Sequence, residues 1–209
     1  MSRCRLSLVA VLVALAALAL PPAALAGPVE DGPEAFEARK FDAAAEAFRK
    51  ALESNPGNVD AAVGLARSVI EGGLADAYLV TEERLHEALE KSPKNRDLRL
   101  ALGDLYLANA KSKISDQQAM KFIYEDAKST FQKLVSENPK DELAVAGLAR
   151  TLYETAFFDD ALSALDAFLA KNESNGIAWY WKGQIQYLKA SDAYARSGYK
   201  VTDEVKGLS

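Results

Sequence analysis

The sequence predicts an all-α solenoid of antiparallel helix pairs, on three observations. One apolar motif returns at fixed internal offsets, a proline follows each of its first three copies, and a second helical pattern follows each proline. The motif is Phe41-x-x-Ala44-x-x-x-Phe48-x-x-Ala51, with Pro56 behind it. It returns as Tyr78, Thr81, Leu85, Ala88 and Pro93, and again as Tyr124, Ala127, Phe131, Leu134 and Pro139. A last copy reads Phe158, Ala161, Leu165 and Phe168, with Glu173 in the place of the proline. Steps of three and four put these residues on one helical stripe, where large side chains alternate with small ones that let a neighbouring helix come close. The second pattern carries Leu65-Ala66, Leu102-Gly103 and Leu148-Ala149 at matching offsets, and Gly183 keeps the small residue in the last copy.

Taken in chain order, the first element is a leader. Met1 to Arg5 holds two arginines, Leu6 to Leu20 is uninterruptedly apolar, and Pro21-Pro22 precedes Ala24-Leu25-Ala26. Residues 1–26 therefore read as a secretory signal peptide cleaved before Gly27, because 15 apolar residues fall short of the roughly 20 that span a bilayer. An uncleaved N-terminal anchor is the other reading. The only cysteine, Cys4, precedes the apolar run, so no lipid is expected at the cleavage point. Removing the leader takes away Arg3 and Arg5 and leaves an exported chain without cysteine, stable on packing alone. The location expected is the periplasm, with secretion or N-terminal anchoring as alternatives, and the alanine-rich composition points to a GC-rich bacterium.

The solenoid is expected over residues 27–190. Its first leading helix has little room, since Asp31-Gly32-Pro33 leaves only Glu34 to about Arg39. The turns Asn55-Pro56-Gly57-Asn58, Ser92-Pro93-Lys94-Asn95 and Asn138-Pro139-Lys140-Asp141 have turn and N-cap chemistry, and each proline is expected in the first turn of the next helix, where its missing N–H is not needed. Gly72-Gly73 ends the helix before the second copy of the motif. An insertion at residues 111–122 lengthens both helices of the third unit, with Ser115 and Gln118 placed as a capping box. Its Ile114, Met120 and Phe122 either overhang the neighbouring surface as a ledge or pack as core. Lys182 and Gln186 occupy offsets that are apolar in earlier copies, and residues 191–209 are either a capping helix or the start of a further unit.

These residues and spacings resemble the tetratricopeptide repeat, a helix-turn-helix unit of 34 residues. Pro139 to Glu173 spans 34 residues, while Pro56 to Pro93 spans 37 and Pro93 to Pro139 spans 46, the excess being the two insertions. The resemblance covers nearly all of the chain after the leader. It implies a right-handed superhelical solenoid of about four to five helix pairs, working as a protein-binding module.

Composition narrows the function classes. With 25 Lys and Arg against 30 Asp and Glu, a net charge of −5, the basic excess of a nucleic-acid binder is missing, and no apolar stretch after the leader suits an integral membrane domain. One histidine, His86, and no cysteine past the leader leave no Cys/His pair, no HExxH and no zinc cluster. His86 lies off the apolar stripe and is expected to be solvated. There is no GxSxG nucleophile elbow, and Gly72-Gly73 lacks the following Lys-Ser/Thr of a phosphate loop. Asn172-Glu173-Ser174 fits a glycosylation triplet but sits in a turn where Asn and Ser are expected anyway. The chain is expected to be noncatalytic, without metal or cofactor.

The resemblance further implies that the leading helix of each unit lines a concave groove holding a partner segment. Transferred by offset from the repeat proline, the groove residues are Asp60, Val63, Arg67 and Ile70, then Asp97, Leu100, Asp104 and Leu107, then Leu143, Ala146, Arg150 and Tyr153, and finally Ile177, Tyr180, Gln184 and Tyr187. Val63, Leu100 and Ala146 disfavour the basic clamp with which some family members hold a chaperone's terminal carboxylate. Arg67 and Arg150 either fork onto an acidic group of a partner or pair with Asp104 on the intervening unit. The function expected is a scaffold or adaptor of the bacterial cell envelope that binds a peptide or helix of another protein, with Tyr153, Tyr180 and Tyr187 as anchors. The alternative is a small-ligand accessory protein with a closed apolar pocket, and an enzyme is the weakest reading.

Overall fold

A computed structural model describes residues 28–113 and 115–196. The leader with its cleavage point, Ile114 and residues 197–209 lie outside the described residues. Among the described residues there are four complete helix pairs, followed by a single long helix. The pairs are α1 (Pro28–Glu37) with α2 (Phe41–Ser54), α3 (Val59–Gly72) with α4 (Tyr78–Lys91), α5 (Arg96–Ser112) with α6 (Gln117–Glu137), and α7 (Glu142–Glu154) with α8 (Phe158–Leu169). The closing helix is α9 (Gly176–Arg196), which runs on through Ser191. Leading helices α1, α3, α5, α7 and α9 touch one another in sequence, and each second helix packs against its own leading helix and the next one. The stripe read from the sequence is the core: Ala44, Phe48 and Ala51, Tyr78, Thr81 and Leu85, Tyr124, Ala127 and Phe131, and Ala161, Leu165 and Phe168 are all buried. A single helix pair has no other way to cover its apolar stripe than to stack on its neighbours.

Each turn between pairs is built the same way. The side chains of Asn58, Asn95, Asp141 and Asn175 accept the N–H three residues on, from Ala61, Leu98, Ala144 and Ala178, at 3.0, 3.0, 3.2 and 2.8 Å. Their own N–H groups return to the carbonyls of Asn55, Ser92, Asn138 and Asn172, each at 3.0 Å. Pro56, Pro93 and Pro139 are thus the second residue of these turns, ahead of the N-cap, and not in the first turn of the next helix as expected. There the ring's fixed φ sets the turn, and Glu173 serves in the fourth copy because the Asn side chains already hold the backbone.

The turns inside three pairs share a left-handed residue: Arg39 (φ 55°), Gly73 (φ 62°) and Ala156 (φ 61°). In each, the next N–H reaches back five residues, from Lys40 to Ala35, Leu74 to Val69 and Phe157 to Leu152, at 2.9, 3.0 and 2.8 Å. This is the Schellman closure that the Gly72-Gly73 reading implied.

Two other expectations are corrected. The first leading helix begins at Pro28, not Glu34, and contains Pro33. Gly32 is not a breaker there, since a Cβ on it would lie 2.6 Å from the ring of Phe48. In the insertion the N-cap is Asp116, accepting from Ala119 at 3.0 Å, so Ser115 and Gln118 form no capping box. A carboxylate complements the positive end of the helix better than a hydroxyl one residue earlier. The ledge residues divide: Met120 packs on the core, and Phe122 is exposed.

Phe131 sits between Gly103 of α5 and Gly147 of α7, where a Cβ would approach the ring to 2.7 and 2.3 Å. Phe48 sits likewise between Gly32 and Gly64. At the corresponding position Leu85 is smaller, and the flanking residues by register, Ala66 and Ala101, are larger and buried in the same cluster. Gly183 of α9 is different, with no atom within 4 Å of a Cβ placed on it. It faces the side that α4 and α6 cover on α3 and α5, and no second helix covers α9 among the described residues. Alanine is better than glycine inside a helix by about 1 kcal/mol. Gly183→Ala is therefore expected to raise stability by up to that amount, and Gly147→Ala to lower it by about 1–3 kcal/mol through overpacking. Urea denaturation of the two variants checks the opposite signs, and a shift of the same sign in both would refute the packing difference.

Candidate interaction groove

The outer side chains of the leading helices fall into three kinds. Leu100 and Leu107, expected in the groove, are 7% and 0% exposed and belong to the core shared by α5, α6 and α7. The insertion makes α6 21 residues long, and Met120 of its added turns packs against the same cluster as Tyr124 of the repeat motif. Ile70, Ala146, Tyr153 and Gln184 are half-buried, with Ile70 packed on the N-terminal core and Tyr153 on the C-terminal one. Arg67, Tyr180 and Tyr187 are exposed, as are Asp60, Asp97, Leu143 and Ile177.

The two arginines have separate fates. Arg150 donates to Asp104 across one unit, Nη2 to Oδ1, at 3.2 Å, the pairing that was one of its two readings. Its Nε is buried without an acceptor. The crowded setting of Asp104 raises its carboxyl above the usual range, because desolvation outweighs the opposing pull of Arg150. Arg67 has no carboxylate partner among the described residues and lies 4.8 Å over the ring of Phe36, a cation–π contact. Lys111 closes onto Glu154 at 2.5 Å from the insertion side.

Two cavities open along this surface. One, about 450 Å³, lies between α1 and α3, floored by Pro33, Phe36, Phe48, Val59, Val63 and Gly64 and rimmed by Glu37, Asp60, Arg67 and Asp97. The second, about 410 Å³, is lined by Lys111, Met120, Tyr124 and Glu154 beneath the insertion. Farther on, Tyr153 meets Trp181 edge-on at 5.7 Å and Phe158 at 6.5 Å, and Tyr180 meets Trp181 at 5.4 Å. The anchors expected from the sequence thus divide into a half-buried Tyr153 and freely presented Tyr180 and Tyr187. The sequence reading missed Phe36 and Phe48 as cavity walls, because it gave α1 too few residues to form one.

The remaining titratable cluster is away from these cavities. Tyr106 donates to Glu82 at 2.9 Å and lies 3.3 Å from His86, which stays exposed. Burial and the Glu82 contact push the Tyr106 hydroxyl upward. Among the described residues no group of carboxylates, cysteine or histidine is arranged to hold a metal, and no helix is long and apolar enough to cross a membrane.

Two family profiles, both described as tetratricopeptide repeat, match residues 35–77 and 146–199. The chain carries tetratricopeptide repeats. Between the two matches, α4 to α6 continue the same pairing, with the insertion lengthening one TPR unit. Solved TPR structures share the fold. TTC0263, a thermophilic TPR protein of Thermus thermophilus, superposes with a TM-score of 0.62 at 20% identity, covering 86% of this chain and 92% of its own. MamA gives 0.56 at 19% identity over 81% and 85%, and YrrB, described as a TPR protein with an unusual peptide-binding site, gives 0.52 at 20% over 78% and 76%. At these identities the likeness is one of fold. No curated protein matches the sequence.

Proposed function

We propose that this TPR chain is a noncatalytic scaffold or adaptor of the bacterial cell envelope, holding a segment of a partner protein along its leading helices. The observation that carries the reading is the row of open cavities and presented aromatics on that one face: the α1/α3 pocket, the pocket beneath the insertion, and Tyr180 and Tyr187 at 58% and 71% exposure. Aromatic side chains offer large contact area at low entropic cost, and a groove of pockets takes alternate side chains of an extended segment. Both cavities open to solvent, which suits a peptide better than an enclosed small ligand. The peptide-binding site described for YrrB is in keeping with this use of the fold. Export and a periplasmic location rest on the leader pattern of residues 1–26.

The test is capture from a periplasmic extract. The chain expressed from Met1 is expected to be recovered there with Gly27 at its N-terminus by intact mass. Immobilised, it should retain a protein that the variant Tyr180→Ala, Tyr187→Ala does not. Both side chains are exposed, so the variant should keep the parent's circular dichroism. Equal retention by both forms would remove the groove reading, and a chain found uncleaved in the cytoplasm would remove the envelope.

A further inference from the structure

The pocket between α1 and α3 is apolar at its floor and acidic at its rim, and the charges there are unequally satisfied. Phe36, Val63 and Gly64 offer a flat apolar wall, with the edge of Phe48 beneath. Glu37, Asp60 and Asp97 stand around it against one arginine. Asp97 is paired with Arg96 at 2.8 Å, but that pair is exposed and weak. Asp60 and Glu37 have no cationic partner among the described residues. Glu37 also closes α1 at its C-terminal end, where the helix dipole disfavours a negative charge. Arg67 does not relieve them, because its guanidinium lies over Phe36. Elsewhere on this face the cations are engaged, Arg150 with Asp104 and Lys111 with Glu154.

We propose that this pocket receives a lysine or arginine side chain of an extended partner segment, so that the groove selects basic over acidic sequences. The inference rests on the peptide-binding reading above and gives it a chemistry. The methylene stem of the incoming residue packs on Phe36 and Val63, and its charged head is placed among Glu37, Asp60 and Asp97. Long cationic side chains suit such a site because stem and head have opposite solvent preferences. A carboxylate directed at Arg67 would instead have to enter past three carboxylates of like sign.

The test uses the whole chain from Gly27 and three fluorescein-labelled peptides that differ only at one central residue between two leucines: lysine, norleucine or glutamate. Fluorescence anisotropy is expected to rank lysine first and glutamate last, with about a fivefold preference for lysine over norleucine that disappears at high salt. Asp60→Asn combined with Asp97→Asn should erase that preference and leave norleucine binding within about twofold. Both residues are exposed, so the fold is retained. Arg67→Gln should tighten the lysine peptide. Tighter binding of the glutamate peptide, or an unchanged lysine preference in the double variant, would overturn the proposal, as would the absence of binding to all three. In those cases the capture experiment still decides the scaffold reading, since its variant leaves Asp60 and Asp97 in place.

Discussion

Phe131→Ala is expected to lower the stability of the chain by about 3–5 kcal/mol, the range for removing a fully buried aromatic ring. The ring is 0% exposed and fills the space between Gly103 and Gly147, so neither neighbour has a side chain that can collapse into the hole. It is also the knob shared by α5, α6 and α7, and its loss weakens the joint between two units as well as one helix. In a linear stack, a weakened joint separates the stability of the parts on either side. Both tryptophans, Trp179 and Trp181, are on α9, beyond that joint. Denaturation of Phe131→Ala followed by tryptophan fluorescence should therefore precede the loss of helical circular dichroism, whereas the parent's two transitions should lie closer together. A variant that melts with the parent would show that the ring is not the joint.

Asp141 is expected to be the most costly charged residue to remove. It is 5% exposed overall, caps α7 through Ala144, and accepts from Arg96 Nε at 2.5 Å and Nη2 at 2.7 Å from the turn one unit earlier. Asp141→Ala removes a cap, about 1 kcal/mol, together with a bidentate charged contact, for a total of about 2–3 kcal/mol. The value stays below that of a fully buried pair because Arg96 is 44% exposed. Asp141→Asn keeps a good cap and should cost about 1 kcal/mol less. The Arg96 hydrogen bonds hold the Asp141 carboxyl below the usual carboxylate range. A depressed folded pKa stabilises the native state fully above the unfolded value, about 3.9, and the gain is lost as pH falls through the folded pKa. The stability difference between parent and Asp141→Asn should accordingly be largest near neutral pH and shrink below about pH 4. Urea titrations at pH 7 and pH 3 measure it, and a gap that does not narrow would contradict the ion pair. Glu137, lowered by Arg99 at 2.7 Å, is present in both proteins and cancels from the comparison.

The helix pairs were legible in the sequence because the same residue types recur at the same offsets, and burial in a stacked array depends on those offsets almost alone. Phe48, Leu85, Phe131 and Leu165 were placed in the core on that ground and are there. What the pattern could not convey was which exceptions serve packing. Gly32 and Pro33 read as a break, yet Gly32 makes room for the ring of Phe48, and the helix passes through Pro33. The groove was legible only in part for the same reason. Leu100 and Leu107 keep the groove offset, but both are buried in the cluster that α5 shares with α6 and α7, and the offset does not encode which leading helix turns those positions into the core. Arg67 and Arg150 share an offset and differ in partner, because Asp104 lies one unit before Arg150 while Arg67 has Phe36 there. The contacts of Arg96 with Asp141, across units, and of Arg99 with Glu137, within one, carried no sequence signal, since their spacing spans the insertion.

The alternation of knobs gives the stack a grammar longer than its repeat. Phenylalanine between two glycines, in the first and third pairs, is followed in the second by leucine among alanines. The volumes agree within each joint and not between adjacent ones. A single unit lifted out would bring a phenylalanine against alanine walls or leave a leucine loose between glycines. Two consecutive units lifted out together would rejoin surfaces that already fit. In the first three pairs the smallest interchangeable piece of this protein is therefore a doublet, and a mutation at one joint is felt by its immediate neighbours while the next joint of its own kind lies two units away.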